Sequence, residues 1–189
     1  MSNKKGLLFV VSGPSGAGKG TVLKEVFKKD DNLFYSVSAT TRLPRNQELE
    51  AINYFFKTKE QFFNMLQQNK LLEYTEFCGN YYGTPIEEVD KMLNNGLDVV
   101  LEIEVQGAKQ VKNIRNDCIL IFIMPPSVDE LKQRLVGRNT ESDDKVNLRL
   151  IEAQNEMEQV AKYDYIVIND TVERATKELL NIIRSERKK

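Results

Sequence analysis

Leu7-Leu8-Phe9-Val10-Val11-Ser12-Gly13-Pro14-Ser15-Gly16-Ala17-Gly18-Lys19-Gly20-Thr21 is the stretch that decides the fold. It begins as a continuous apolar run, which suits a strand covered on both faces. Gly13, four spacers and Gly18-Lys19 follow at the spacing of a phosphate-cradling loop, or P-loop. Val22, Leu23, Val26 and Phe27 then recur at helical spacing. In this order of strand, loop and helix, inward-turned backbone N–H groups and the positive helix end hold an oligophosphate. Gly13 through Thr21 are therefore candidate phosphate ligands, with Lys19 reaching the outer phosphates as a compact point charge. Gly20 stands where Ser or Thr commonly gives a hydroxyl to magnesium. Thr21, one step on, is the candidate metal ligand, directly or through water. A glycine-rich turn before an ordinary helix is the plainer alternative, and the flanking periodicities argue against it.

Composition narrows the chemistry. A chain of 189 residues with 41% hydrophobic content suits one compact domain with a small insertion or lid. A net charge of −1 gives no sign of a nucleic-acid surface. No apolar stretch approaches membrane-spanning length and no signal peptide opens the chain, so a cytoplasmic protein with no membrane partner is expected. Cys78 and Cys118 are isolated, which fits a reducing compartment. Histidine is absent. That excludes Ser-His-Asp and Cys-His nucleophiles and every His-containing zinc site. Phosphoryl transfer survives, because it runs on positioning, cations and magnesium.

Apolar segments at 6–12, 97–103, 118–124 and 164–168 predict buried strands, with a weaker candidate at 33–38. Helical patterns at 19–29, 107–114, 127–136, 144–161 and 171–185 alternate with them, which predicts an α/β fold, a parallel sheet flanked by helices. Capping boxes are expected at Ser127 with Glu130, Asp170 with Glu173, Thr84 with Glu87, and Thr58 with Gln61. Pro85 suits a first helical position and Gly96 a helix end. The segment 39–96 has short alternating pieces and is rich in tyrosine (Tyr54, Tyr74, Tyr81, Tyr82). It reads as an inserted substrate-holding subdomain, leaving 1–38, 97–136 and 147–189 as core and the polar stretch 137–146 as a lid.

Four constellations carry candidate chemistry. In Thr41-Arg42-Leu43-Pro44-Arg45, Pro44 keeps the segment extended, so two guanidiniums form a fork for a dianionic phosphate; solvated surface arginines are the alternative. In the run Glu73 to Thr84, a carboxylate beside hydroxyls and rings suits a purine. Guanine offers N1–H and 2-amino donors side by side and adenine does not. Equally, Glu73 reads as a surface acid, Tyr82 as core and Thr84 as a helix cap. In Asp98-Val99-Val100-Leu101-Glu102-Ile103-Glu104, a buried strand ends in acids that share a face and can orient magnesium-bound water or substrate; an acidic strand end is the alternative. Arg134 and Arg138 share a helix face. With Arg149 they either converge on a transferring phosphoryl or pair with surface acids.

The set resembles the guanylate kinase family over about residues 6–183, through GPSGAGKGT, SVSATTRLPR, EFCGNYYGTP, LEIEVQGAKQV, IFIMPPS, LKQRLVGR and YDYIVIND. Lys-Gly-Thr at 19–21 is also similar to small nucleoside monophosphate kinases. The resemblance implies ATP plus GMP giving ADP plus GDP with magnesium, and a P-loop kinase core with a GMP-binding subdomain and a closing lid. It implies Arg42, Arg45, Tyr54 and Tyr82 at the GMP phosphate, and Ser38, Glu73 and Thr84 at guanine. Glu102 and Glu104 fall near GMP and magnesium, Gly13–Thr21 at the ATP phosphates, and Lys19, Arg134, Arg138 and Arg149 around the transferred group. Asn169 falls near the ATP base.

The chain departs from the family's run Pro-Arg-x-Gly-Glu-x-x-Gly-x-Asp-Tyr. Gln47 and Ala51 replace its glycines and Asn53 its acid. Losing glycine restricts positive-φ turns, so a differently shaped loop is expected before Tyr54. Ala39 stands where a polar residue is common, and Glu104 where Asp is. Two other readings remain: a related kinase acting on a sugar phosphate, and a non-catalytic module binding phosphorylated partners through the same site. The first has no need of Glu73, Tyr82 and Thr84 together, and the second typically lacks an intact P-loop.

Overall fold

The structure, a computed structural model, describes residues 4–136 and 143–189. β1 (Leu8–Ser12) is buried at every residue, as its unbroken apolar run requires. Gly18 precedes α1 (Lys19–Phe27) with φ 85°, a left-handed torsion that glycine adopts without steric cost. β2 (Leu33–Tyr35), β3 (Ala39–Thr40) and β4 (Phe55–Phe56) are short. α2 (Lys59–Gln67) starts on a full capping box. The Thr58 hydroxyl accepts from the Gln61 N–H, and the Gln61 side chain accepts from the Thr58 N–H. β5 (Leu71–Phe77) and β6 (Asn80–Pro85) form a hairpin. Its turn residues Cys78 and Gly79 have φ 49° and 74°, the paired positive torsions whose twist matches a two-residue hairpin.

α3 (Ile86–Asn94) closes at Gly96. The Gly96 N–H donates to Leu93 O at 3.0 Å and the Leu97 N–H to Met92 O at 3.1 Å, a Schellman ending. β7 (Asp98–Glu102), α4 (Val105–Ile114), β8 (Ile119–Met124), α5 (Val128–Val136), α6 (Asp143–Met157), a 3-10 turn (Glu158–Lys162), β9 (Tyr165–Ile168) and α7 (Val172–Glu186) complete the order.

One sheet has five strands in the order β2-β7-β1-β8-β9 and a second has four in the order β4-β3-β6-β5. Phe9 lies opposite Ile119, Ile121 opposite Tyr165 and Leu33 opposite Asp98, each in a parallel pair. The expected α/β class, with a parallel sheet flanked by helices, is what the chain adopts. Among the described residues no helix is long and apolar enough to cross a membrane.

The chain divides into two compact units. One runs up to Leu8 and takes in Leu33–Leu101 and Gln106–Cys118; the other takes in Phe9–Asn32, Glu102–Val105 and the described residues from Ile119 onward. In the first, Ala39, Phe62 and Leu71 form a core against Phe55, Met65, Leu66 and Tyr81. Ala39 is fully buried there, which accounts for a small apolar residue at that position. Truncating the equally buried Phe62 to alanine removes about 3–5 kcal/mol by the usual cavity cost. In the second, Leu131, Leu135 and Ala153 pack with Leu150. The Arg187 guanidinium grips Asp30 at 2.6 and 3.2 Å.

Two expected helix starts differ. The Thr84 hydroxyl donates to Glu73, and α3 begins after Pro85 with no side-chain cap. At α7 the cap is Thr171, which accepts from the Arg174 N–H at 3.3 Å, while Asp170 takes the Arg174 guanidinium at 2.6 Å. β7 ends at Glu102, so strand alternation does not extend to Glu104. Gly107 is the third residue of α4 rather than its start. Residues 143–146 of the expected lid already belong to α6. Residues 137–142, Arg138 among them, lie outside the described residues.

Candidate active site

The phosphate loop belongs to the second unit. Gly13, Gly16 and Gly18 have φ of 145°, 93° and 85°. A Cβ at Gly13 would meet Ile123 O at 2.1 Å, and one at Gly18 the Asn169 Nδ2 at 2.5 Å. Torsion and space therefore both demand glycine there. The Lys19 ammonium donates to Gly13 O at 2.6 Å and Pro14 O at 3.3 Å. Burial pushes its pKa below the ordinary lysine value, against the charges of Glu102, Glu156 and Glu104. Glu102 and Glu104 thus act on the loop lysine. The Glu102 oxygens lie 3.5 and 3.7 Å from where a Cβ on Gly20 would stand.

Asn169 ties this loop down. Its amide donates to Ala17 O at 2.7 Å, its N–H donates to Met124 O at 2.7 Å, and its carbonyl accepts from Arg134 Nη2 at 3.0 Å. With 3% of the residue exposed, both side chain and backbone are engaged with protein. Arg134 also donates to Glu130 at 3.1 Å, and Arg149 Nη2 to the Ser15 hydroxyl at 2.5 Å. The sequence candidates Arg134, Arg149 and Asn169 therefore all connect to the loop.

The first unit holds the arginine fork. Arg42 Nη1 and Nη2 donate to the two Glu48 oxygens at 3.0 and 2.8 Å, Nη1 also donates to Leu43 O at 2.8 Å, and the Arg45 N–H donates to Glu48 at 2.7 Å. The Arg42 guanidinium lies 5.4 Å from the centre of the Tyr54 ring, which meets Tyr82 edge-on at 6.0 Å. Hydrogen bonds from Arg42, then from the Arg45 backbone, hold the Glu48 carboxyl below its ordinary pKa. Glu48 raises Arg42 in return, and Tyr82 adds to that. Arg45 is exposed and Ser38 half-buried.

Gln47 and Ala51 do not reshape the loop in the expected way. Both take the positive torsions that glycine would, φ 75° and 61°. The Glu48 N–H donates to Arg45 O at 3.0 Å, which puts Gln47 at the third position of a turn. The Ala51 N–H donates to Tyr54 O at 2.9 Å, and Asn53 takes the Leu49 N–H at 2.9 Å. These bonds, with the Glu48 clamp, hold the strained torsions.

Glu73 is 4% exposed, and Thr84, 1% exposed, donates its hydroxyl to Glu73 Oε1 at 2.7 Å. The strand register shifts between Leu71 and Tyr74, and Leu71, Leu72 and Glu73 are buried in succession. A bulge re-aims a side chain in this way, turning an acid inward where alternation would put it out.

Two participants escaped the sequence reading, Glu48 and Glu156. Burial, with repulsion from Glu104 and Glu152, raises the Glu156 carboxyl to about 7 although Lys19 opposes it. The available signal was spacing: Glu156 stands three residues after the buried Ala153 on α6, hence on its inner side.

Comparison with known proteins identifies the family. The family model described as guanylate kinase matches residues 5–186. A guanylate kinase of Halalkalibacterium halodurans is 50% identical over 186 residues, covering 98% of this chain and 91% of that protein. One of Bacillus cereus (strain ZK / E33L) is 52% identical over 187 residues, with 98% and 91% covered. The crystal structure of guanylate kinase from Anaplasma phagocytophilum superposes with a TM-score of 0.78 at 31% identity, covering 98% of this chain and 88% of that one. The chain belongs to the guanylate kinase family, kinases that phosphorylate GMP to GDP with ATP.

Proposed function

We propose that the first unit binds GMP, with Arg42, Arg45, Tyr54 and Tyr82 at its phosphate and Glu73, Thr84 and Ser38 at its base. The loop Gly13–Thr21 of the second unit takes the ATP phosphates, and 39–96 acts as the GMP-holding subdomain. The observation that carries this reading is the Glu73–Thr84 pair, a buried carboxylate bonded by a neutral hydroxyl at 2.7 Å. A carboxylate taken out of water needs strong donors. The guanine edge brings two side by side, N1–H and the 2-amino group, where adenine has no such donor pair.

For transfer, Lys19 is the cation that neutralises charge developing on the phosphoryl group, which passes in line from ATP to the GMP phosphate. Arg134 and Arg149, tethered near the loop by Asn169 and Ser15, turn to the same oxygens when nucleotide binds. Arg138 is assigned with them from the sequence. Glu102 and Glu104 orient GMP and water.

Magnesium takes oxygen ligands, few of them from protein and the rest from phosphates and water. Thr21 and the Glu102 carboxylate beside Gly20 are oxygen donors that fit it. When bound, the ion supplies charge neutralisation at the β- and γ-phosphates. We place the reaction in cytoplasmic purine nucleotide metabolism, in the recycling of GMP. Cys78 and Cys118, neither in a disulfide, suit such a reducing compartment.

The test of the transfer role is Lys19→Ala. Turnover is expected to fall by about 10³-fold or more, as for loss of a transition-state cation, with GMP affinity retained. Turnover within a few-fold of the parent would remove Lys19 from the mechanism.

A further inference from the structure

Gly107 lies on α4 and is buried. A Cβ built on it would stand 2.8 Å from Glu73 Oε2, 3.3 Å from Cδ and 3.4 Å from Cγ. The first distance is below any real Cβ contact, and the other two are tight. A side chain at 107 therefore forces the Glu73 carboxylate to shift, Oε2 most of all.

The helix cannot relieve this by moving away, because it is bolted to the same strand one residue along. The Tyr74 N–H donates to Gln110 Oε1 at 3.1 Å, and Gln110 Nε2 donates to Tyr74 O at 2.9 Å. Gln110 is three residues after Gly107, so both lie on the face of α4 turned to β5. Thr84 holds the other carboxylate oxygen, Glu73 Oε1, at 2.7 Å. Spacing between helix and strand is thus fixed by one amide pair, and the carboxylate occupies the room that glycine leaves.

We propose that Gly107 is a specificity-determining residue, acting through Glu73: its missing side chain is what lets the carboxylate present itself to guanine's N1–H and 2-amino donors. This rests on the reading of Glu73 as the base reader. Gly107 touches no substrate; it is a positioning residue, and its effect belongs in the KM for GMP and in the preference for GMP over inosine monophosphate, which lacks the 2-amino group.

The experiment compares the parent, Glu73→Gln, Gly107→Ala and the double variant Gly107→Ala/Glu73→Asp. Each is assayed for kcat and KM with GMP and with inosine monophosphate, and for KM with ATP. Gly107→Ala is expected to raise KM for GMP by about tenfold and to cut the GMP preference by a similar factor, with kcat changed less than about threefold. KM for ATP stays as in the parent. Shortening Glu73 to aspartate in the Gly107→Ala background removes the clash and restores part of the preference, which a merely structural defect at 107 would not allow.

Parental KM and preference in a folded Gly107→Ala overturn the inference. Where Gly107→Ala alone does not fold, the double variant is expected to fold, and its failure overturns the assignment of the clash to Glu73. Glu73→Gln separates the two levels. If it leaves the preference intact, the base-reading role itself is wrong. If it abolishes the preference while Gly107→Ala does not, only the role of Gly107 is wrong.

Discussion

Arg42 presents the outer edge of its guanidinium to Glu48, Nη1 to one carboxylate oxygen at 3.0 Å and Nη2 to the other at 2.8 Å. The two side chains are 15% and 18% exposed, so this is not an ordinary surface pair of negligible worth. Glu48 also takes the Arg45 N–H, and thereby holds the Arg42 guanidinium and the Arg45 backbone through one carboxylate.

Glu48→Gln should therefore weaken GMP binding without touching chemistry directly. The amide accepts with one oxygen only and carries no charge, and a charge-assisted bidentate pair is about twice as strong as a neutral contact. KM for GMP is expected to rise by about tenfold, with kcat and the KM for ATP little changed. Steady-state kinetics with each substrate varied in turn would show it; parental KM for GMP would mean that Arg42 is held well enough by Tyr54 and the backbone.

Gln47→Gly and Ala51→Gly should each stabilise the protein. A non-glycine residue in the left-handed region costs about 1–2 kcal/mol, and glycine's greater freedom in the unfolded chain returns part of that. A net gain of about 0.5–1 kcal/mol per site is expected, read as a higher urea midpoint. A lower midpoint would show that these side chains make contacts worth more than the torsional strain.

Asn169→Ala should loosen the ATP site while sparing the GMP site. It takes from Ala17 O the amide donor that holds it. Leaving a buried acceptor without its bond costs about 1–3 kcal/mol. KM for ATP is expected to rise several-fold and GMP affinity to stay put; calorimetric titration of each nucleotide distinguishes this from a general loss of fold.

Glu156 predicts a pH dependence of stability. Its folded pKa, about 7, lies above the ordinary glutamate value of about 4.3. Below that ordinary value folded and unfolded chains both hold the proton. Between the two values only the folded chain keeps it, so stability falls as pH rises, and above about 7 the loss is complete. Glu156→Gln removes this loss. Its melting temperature relative to the parent should climb from about pH 5 to about pH 8; a pH-independent difference would contradict the shifted carboxyl.

Much of this was legible in the chain. β1, the glycine loop and α1 announced themselves because a buried strand, φ-permissive glycines and an amphipathic helix each leave a sequence pattern. β7, β8 and β9 did the same through largely apolar runs, and β2 more weakly. Where interactions are long-range the signal failed. Thr84 sits at capping-box spacing, but its hydroxyl went to Glu73, eleven residues away. Spacing cannot tell a cap from a donor to a distant acid. Gln47 and Ala51 broke the usual rule for positive φ because the Arg42–Glu48 clamp and the Ala51–Tyr54 bond override local preference. Gly107 carried no turn signal, since what it provides is room for a side chain on another element. Only the folded chain shows which glycines are there for space.

The most direct measurement is ADP release from magnesium-ATP with one acceptor at a time: GMP, AMP, CMP, UMP and ribose phosphate. Turnover confined to GMP is the predicted result, since only guanine among these offers Glu73 both donors at once. Equal or greater turnover with AMP, or with ribose phosphate, would contradict the account at its centre.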